Sequence, residues 1–390
     1  MKKNFIISVI IPSFYPATVY GGPIFTSLHT CEELAKIGLE VRVSTTNTNL
    51  TSKLDVETNK WLSFSKNFFI KYYNETIIGK FSLQLYLNIH NDIKQADIIH
   101  IQGIFNTPIP ISLLYAKLYK KPVLLSPHGS FCDWGLTQGN VLKSFWIKTL
   151  INPFSNFIYW HATCDQERND ILKQFPNAKV IIIPNGTDID SFSKMNIFEP
   201  NYYINKFIGK IFSPTKIIVS MGRLHKKKGF DILIKSFLNV LNTYNDAILL
   251  IAGKDDGEQK GLDEFIKKHD LINKVFFVGE ILGQDKIDFL ANADLFALPS
   301  HDENFGVVYI ESLAAGTPIV ASLNTPWQEV EAAECGKWVA NTVEETSQAM
   351  LEILKKDRKQ MRINSQALAE KYDWKNIAIQ FKQLFEEIPL

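Results

Sequence analysis

Short apolar runs rich in β-branched residues recur along this chain, and they constrain its fold more than any other feature. In the first half they are Phe5–Ile11, Val41–Thr45, Ile98–Ile101, Val123–Ser126, Tyr159–Thr163 and Val180–Ile183. In the second half they are Ile217–Met221, Ile248–Ala252, Val275–Val278, Leu295–Leu298 and Ile319–Ala321. A strand with one face in water alternates polar and apolar residues, whereas strands covered by helices on both faces do not. The segments between look helical. Residues 22–38, GPIFTSLHTCEELAKIG, place apolar side chains at helical spacing and close on Gly38. Residues 229–244, GFDILIKSFLNVLNTY, read the same way. Strand–helix alternation in both halves predicts an α/β chain of two doubly wound, Rossmann-like domains facing a central cleft.

The length supports that division, since 390 residues exceed one ordinary core. A join is expected near 190–215. There IIIPNGTDIDSF ends the first half in turn chemistry, and an irregular polar and aromatic stretch follows. The expected parts are a domain over 1–190, a domain over 191–372, and a final amphipathic helix over 373–390 that can pack on either, including by crossing back to the first. Hydrophobic residues at 46% and charged residues at 21% describe a globular chain. A net charge of +1 gives no strong draw toward nucleic acid. Cys31, Cys132, Cys164 and Cys335 are scattered, which suits a reducing compartment and argues against a zinc site or a disulfide framework. The start, MKKNFIISVIIPSF, has lysines before an apolar run, but the run is short and Pro12 interrupts it, so a first buried strand is expected instead of a leader. No apolar stretch is long enough to span a bilayer. The expected location is the cytoplasm, with room for a peripheral place on the inner face of the cytoplasmic membrane.

Polar chemistry gathers at the strand ends. In SFYPATVYGGPIF (13–25), Gly21-Gly22 lets a backbone come close to a ligand, and the helix that follows favours an anion; a plain strand-to-helix turn explains it equally. The dinucleotide-binding glycine fingerprint is missing there, which disfavours a Rossmann oxidoreductase. In GRLHKKKGFD (222–231), Arg223 and Lys228 can neutralise a diphosphate, while Lys226 and Lys227 read as solvated. In SPHGSFCDW (126–134), His128 can bond a sugar hydroxyl, move a proton, or be structural. Asp188 and Asp190 imitate a metal-binding pair, but the preceding Asn185-Gly186 favours turn capping and no metal is expected.

The segment HDENFGVVYIESLAAGTPIVAS (301–322) is the most telling. A strand ending at Ser300 precedes it, so a helix over 305–315 is expected, closed by Gly316-Thr317-Pro318, with an N-terminus that favours phosphate. Val307, Val308, Ile310 and Leu313 form its buried face. Glu303 and Glu311 do not fit that face. Eight helical positions span roughly 12 Å, too far to serve one atom but suited to two ends of an elongated polar ligand.

Taken with the order of the other motifs, this segment resembles retaining glycosyltransferases of the GT-B fold, most closely glycosyltransferase family 4. The resemblance covers nearly the whole chain. Its most specific part is Glu-x7-Glu in ENFGVVYIE with SLAAGTPIVAS after it, joined by GRLHKKKG, PNGTDIDSF, the Gly-Gly loop and PHG. It implies a nucleotide-sugar donor in the cleft. Glu311 is then expected on the ribose hydroxyls, Glu303 beside the sugar ring, and Arg223 and Lys228 on the diphosphate. Backbone N–H groups around Asn304, Phe305 and Gly306 reach sugar and phosphate, Gly22 lies under the phosphate, and His128 reaches the sugar and the reacting centre. Uracil or guanine belongs near Val275–Glu280. The resemblance implies no metal and no cofactor, the nucleotide-sugar being a substrate.

The acceptor side is less determined. Residues 140–160 are aromatic with lysines and suit either a membrane surface with a lipid-linked acceptor or a packed helix. Residues 47–95 are expected to border the acceptor. The family points to a saccharide or lipid-linked acceptor in bacterial O-antigen or exopolysaccharide synthesis. The rival readings are a GT-B nucleotide-sugar epimerase and a non-catalytic sugar-nucleotide-binding subunit. The Glu-x7-Glu segment with Arg223 and Lys228 favours transfer.

Overall fold

The computed structural model describes residues 5–77, 81–132, 135–136 and 140–389. The lysines of the leader-like start, Asp133 and Trp134 of the His128 segment, and the last residue of the expected 373–390 helix lie outside the described residues. The chain divides into Met1–Gly186 with Trp374–Leu390, and Thr187–Asp373.

The first unit is built on one sheet. Its strands are β1 (Ile6–Ser13), β2 (Glu40–Thr46), β3 (Trp61–Ser65), β4 (Phe68–Tyr73), β5 (Ile98–Gln102), β6 (Val123–Ser126), β7 (Ile158–Ala162) and β8 (Lys179–Ile182). They lie in the order β8-β7-β6-β5-β1-β2-β4-β3. Every pairing is parallel except β3 with β4. That hairpin was not foreseen in the sequence. Its outer strand, WLSFS, has no buried residue and carries serines, as suits an edge, and Asn67 takes the left-handed turn position. Residues 47–95 thus supply this hairpin, a short antiparallel ribbon of Thr48–Asn49 with Ser52–Lys53, and the helix Leu83–Gln95.

The helix Trp374–Glu387 belongs to this unit although it follows the other in sequence. Its buried residues Ile377, Ala378, Phe381, Leu384 and Phe385 recur at helical spacing. They join Phe5, Ile7 and Val9 of the β1 region and Leu28, Cys31 and Leu34 of the helix Gly22–Lys36 in one core. Burying each large apolar side chain contributes about 1.5–3 kcal/mol, so this helix is a major part of the unit's core. The opposite face of the sheet packs around Trp160, Phe131, Ile151 and Phe175. Residues 140–160 divide their roles. Ile147 and Ile151 are buried, whereas Val141 and Leu142 of the helix Asn140–Trp146 are 83% and 80% exposed.

The second unit has a fully parallel sheet: β9 (Ile217–Met221), β10 (Ile248–Ala252), β11 (Val275–Gly279), β12 (Leu295–Leu298), β13 (Ile319–Ser322) and β14 (Gly336–Val339). Their order is β11-β10-β9-β12-β13-β14, a doubly wound arrangement whose direction of winding reverses between β9 and β12. β9, β10, β12 and β13 are almost wholly buried, which explains their unalternating sequence. β14, GKWV, is only partly buried and gave no such run. The four cysteines are free and buried. Among the described residues no helix is long and apolar enough to cross a membrane.

Candidate active site

Ligands of doubly wound sheets bind beyond the carboxyl ends of the strands at the reversal point. In the second unit that place is made by the loops after β9 and β12. The first loop holds Gly222, Arg223, a tight turn over Lys226–Lys228 and Gly229. The second runs from Pro299 to Gly306. Their close approach depends on Gly229, which has φ +69° and where a Cβ would lie 2.2 Å from the Pro299 carbonyl oxygen. The His301 N–H donates to the Lys227 carbonyl at 2.8 Å and stitches the loops together. Lys227 pairs with Asp302 at 3.3 Å and is 26% exposed. It is therefore a structural tie between the loops and not the solvated lysine expected, while Lys226 is exposed.

Lys228 and Glu303 meet in this place. The lysine stem lies over Gly222, its Cε 3.4 Å from where a Cβ would stand. Its ammonium forms an ion pair with the Glu303 carboxylate, and the two side chains are 18% and 16% exposed. Arg223 makes its ion pair elsewhere, with Asp256 beyond β10 at 2.6 Å, and its side chain is largely exposed.

The helix here spans Val307–Ala314, shorter than the 305–315 expected, with Gly306 as its N-cap at φ +74°. A Cβ on Gly306 would stand 2.6 Å from the Tyr309 ring and 2.9 Å from Glu303 Cγ, so this position needs glycine twice over. Phe305 is buried edge-on against Trp327, whose indole N–H donates to the Phe305 carbonyl at 2.8 Å. The Tyr309 hydroxyl donates to the Leu298 carbonyl at 2.7 Å. The segment is thus pinned by its aromatic residues, and Asn304, Phe305 and Gly306 lead into the helix N-terminus. The expected 12 Å rise between the acids does not apply, because Glu303 lies in the loop and only Glu311 lies in the helix. The two acids pair with different lysines. Glu311 pairs with Lys286 of the helix Gly283–Ala291 at 2.5 Å. Lys286 carried no signal in the sequence. The expected buried face is only partly met: Ile310 and Leu313 are buried, Val307 and Val308 half-buried. Beside β11 a cavity of about 530 Å³ is lined by Val275 to Val278 together with Phe207, Gln259 and Lys267.

In the first unit, Gly21 (φ +72°) caps the helix Gly22–Lys36, and nothing stands within 4 Å of a Cβ built on Gly21 or Gly22, so the backbone there is open. His128 follows β6 with a left-handed backbone, φ +54°. A carboxylate holds that bend. Glu167, buried, accepts from the Gly129 N–H at 2.6 Å, the Thr163 N–H at 2.7 Å and the Thr163 hydroxyl at 2.8 Å. The His128 ring contacts Gln102 at the end of β5, Nε2 to Oε1 at 2.5 Å. Burial pushes the His128 imidazole down to about 4, against the opposing pull of Glu167. Neither Gln102 nor Glu167 was legible in the sequence, since both signals lie in the strand register and not in any motif. Asp188 is the N-cap of the short helix Ile189–Phe192, but its side chain makes no capping bond, contrary to the expected role. Among the described residues no group of three or more His, Cys, Asp or Glu is placed to hold a metal ion.

Two family descriptions match the chain: "Glycosyltransferase Family 4" over residues 20–191 and "Glycosyl transferases group 1" over residues 203–370. The chain belongs to glycosyltransferase family 4. His128 falls within the first match, and Arg223, Lys228, Glu303 and Glu311 within the second. The fold is GT-B. The chain is similar over 98% of its length to Anabaena HepE, solved in complex with UDP and glucose, at a TM-score of 0.74 and 18% identity, with 99% of that chain covered. It is 25% identical over 233 residues, 59% of this chain, to the alpha-monoglucosyldiacylglycerol synthase of Streptococcus pneumoniae, of which 52% is covered. It is 28% identical over 217 residues, 54% of this chain, to the phosphatidyl-myo-inositol mannosyltransferase of Mycobacterium leprae, of which 54% is covered. The chain thus spans about half the length of these two curated relatives.

Proposed function

We propose that this family 4 chain is a retaining glycosyltransferase that moves a hexose from a UDP- or GDP-sugar to a saccharide or lipid-linked acceptor in cell-surface polysaccharide synthesis. The observation that carries this is the half-buried Lys228–Glu303 pair over the ends of β9 and β12. It puts a cation and a carboxylate side by side where a doubly wound sheet takes its ligand, one suited to a diphosphate and the other to sugar hydroxyls.

In this reading Lys228 and Arg223 hold the diphosphate, Glu311 holds the ribose, and Glu303 lies beside the sugar. Backbone N–H groups of Asn304, Phe305 and Gly306 reach the sugar and phosphate. Gly22 and His128 of the first unit contribute at the phosphate and the sugar. The base lies near Val275–Glu280. Breaking the anomeric C–O bond leaves positive charge on the sugar and negative charge on the diphosphate. Fixed cations and a helix N-terminus stabilise the leaving group, and the chemistry asks for no metal. The acceptor attacks from the face the diphosphate leaves, and a diphosphate oxygen takes its proton. The lipid names of the curated relatives, with the exposed Val141, Leu142 and Phe145 on the helix Asn140–Trp146, support a lipid-linked acceptor met at the inner membrane surface from the cytoplasm.

The test is a thermal-shift panel of the purified chain with UDP, GDP, ADP and their sugar conjugates. One nucleotide series raising the melting temperature is the expected result, since a ligand of the folded state stabilises it by mass action. No shift with any of them at millimolar concentration would overturn the donor reading.

A further inference from the structure

We infer that Lys227 and Asp302 are positioning residues for transfer: their ion pair fixes the Lys226–Lys228 turn on the loop after β12, and so reserves the Lys228 ammonium and the Glu303 carboxylate for each other and for the donor. The inference rests on the proposed donor reading, in which Lys228 holds the diphosphate and Glu303 lies beside the sugar.

The ends of the lysine loop are fixed by Leu224 and Phe230, which are buried. The turn between them has no buried residue, so its place is set by polar ties. The Lys227 N–H donates to His225 Nδ1 at 3.1 Å, and the Lys228 N–H donates to the His225 carbonyl at 2.9 Å. These bonds shape the turn but attach it to no other element. The loop after β12 is anchored separately. The Ser322 hydroxyl at the end of β13 donates to the Ser300 carbonyl at 2.6 Å, and the Glu303 N–H donates to the Asn324 carbonyl at 3.2 Å. The turn hangs from this anchored loop by consecutive contacts. The His301 N–H bonds the Lys227 carbonyl, Lys227 pairs with Asp302, and Lys228 pairs with Glu303. Three successive residues of one loop thus meet two successive residues of the other.

Asp302 depends on this arrangement. Its side chain is 14% exposed, and the Lys227 ammonium lies 3.3 Å from Oδ2. That oxygen is shut off from water, and no described group hydrogen-bonds it, so the ammonium is what compensates its charge. A carboxylate so enclosed is costly to leave alone, which holds the pair together.

The pair also settles which lysine serves which acid. Lys227 and Lys228 are neighbours, their Cα atoms about 3.8 Å apart, and they face two neighbouring carboxylates. By charge alone, either lysine can neutralise Glu303. Asp302 removes that choice by engaging Lys227. Without the Asp302 charge, Lys227 becomes a rival for Glu303, and the turn loses one of its ties. A displaced Lys228 costs most in the transition state, because the charge on the leaving diphosphate grows as the anomeric bond breaks.

The experiment measures the Lys228–Glu303 coupling in the full chain by urea denaturation of Lys228→Met, Glu303→Gln and the double variant, first in the wild type and then with Asp302→Asn added throughout. Hydrolysis kinetics of whichever nucleotide-sugar gives the largest thermal shift accompany it. Asp302→Asn should at least halve the coupling and reduce turnover about tenfold, with donor KM changed less than about twofold, as for an interaction felt in the transition state. Lys227→Met should do the same, and the two together no more than either. Lys227→Arg keeps the charge and should restore turnover to within about threefold of the wild type. In a Lys228→Met background, Asp302→Asn should lower turnover no further, whereas a merely structural loss would lower it again and overturn the positioning role. A wild-type coupling of zero, or one unmoved by Asp302→Asn, overturns the inference, and Lys227→Met decides the same point if Asp302→Asn fails to fold. A coupling that falls with no effect on turnover overturns the positioning role, while donor binding stands. If no nucleotide-sugar binds the wild type, the proposed function has failed and the positioning role with it, while the coupling still decides whether Asp302 fixes the Lys228–Glu303 pair.

Discussion

Lys228 and Glu303, separated by 75 positions in sequence, neutralise each other above two neighbouring parallel strands. The reversal of winding between β9 and β12 makes this meeting possible, because it brings the loops after two non-consecutive strands together. In the proposed reading, a diphosphate entering this place would share the Lys228 ammonium with Glu303.

Lys228→Ala should reduce turnover about 100-fold or more, since its charge matters most as the diphosphate leaves. It also strands a partly buried carboxylate. Urea denaturation should show a loss of about 1–3 kcal/mol, partly recovered when Glu303→Gln is added. A fully additive double variant would mean that the two charges do not interact in solution.

Glu311→Ala should act mainly on binding. Calorimetry with the preferred nucleoside diphosphate should show roughly tenfold weaker affinity, with turnover at saturating donor changed little. Lys286→Ala should weaken binding in the same direction but less, because it frees the Glu311 carboxylate from its only ion pair among the described residues. Equal and small effects from Glu311→Ala and Lys228→Ala would count against the division of roles.

Gly306→Ala meets both a left-handed backbone and the Tyr309 ring. The expected cost is about 1–3 kcal/mol in chemical denaturation, well above that of an exposed surface change. A variant as stable as the wild type would show that the helix cap adopts another conformation in solution.

Stability should depend on pH through the buried histidines. His100, His128 and His161 all have folded pKa values below the unfolded one, with His128 at about 4. The unfolded chain therefore binds more protons between about pH 4 and 6.5, and stability rises with pH across that window. The melting temperature should be level above about pH 7 and fall as pH drops from 6.5 toward 4. Changing His161 to Asn should flatten that fall; an unchanged pH profile in the variant would show that His161 does not contribute to it.

The second unit was more legible in the sequence than the first, and the reason is burial. β9, β10, β12 and β13 are covered on both faces, so their sequences are continuous apolar runs that identify themselves. β3 and β14 sit at sheet edges, where little of the strand is buried and the pattern fails, whereas β4, FFIKYY, lies inside the sheet, is mostly buried and was not foreseen. The Lys228 and Glu303 segments could be read because strand-end glycines and a helix start mark them. Their pairing could not, since it comes from sheet order. The partners Lys286, Gln102 and Glu167 were hidden for the same reason: each is fixed by which elements become neighbours, and no spacing along the chain records that.

The helix Trp374–Glu387 completes the core of the first unit after the whole second unit has been threaded through the ribosome. During synthesis the first sheet therefore waits with one apolar face bare until this helix emerges. A chain that stops before this helix would carry the whole second unit with a first unit that lacks part of its core, leaving an exposed greasy surface for the cell's quality control to act on.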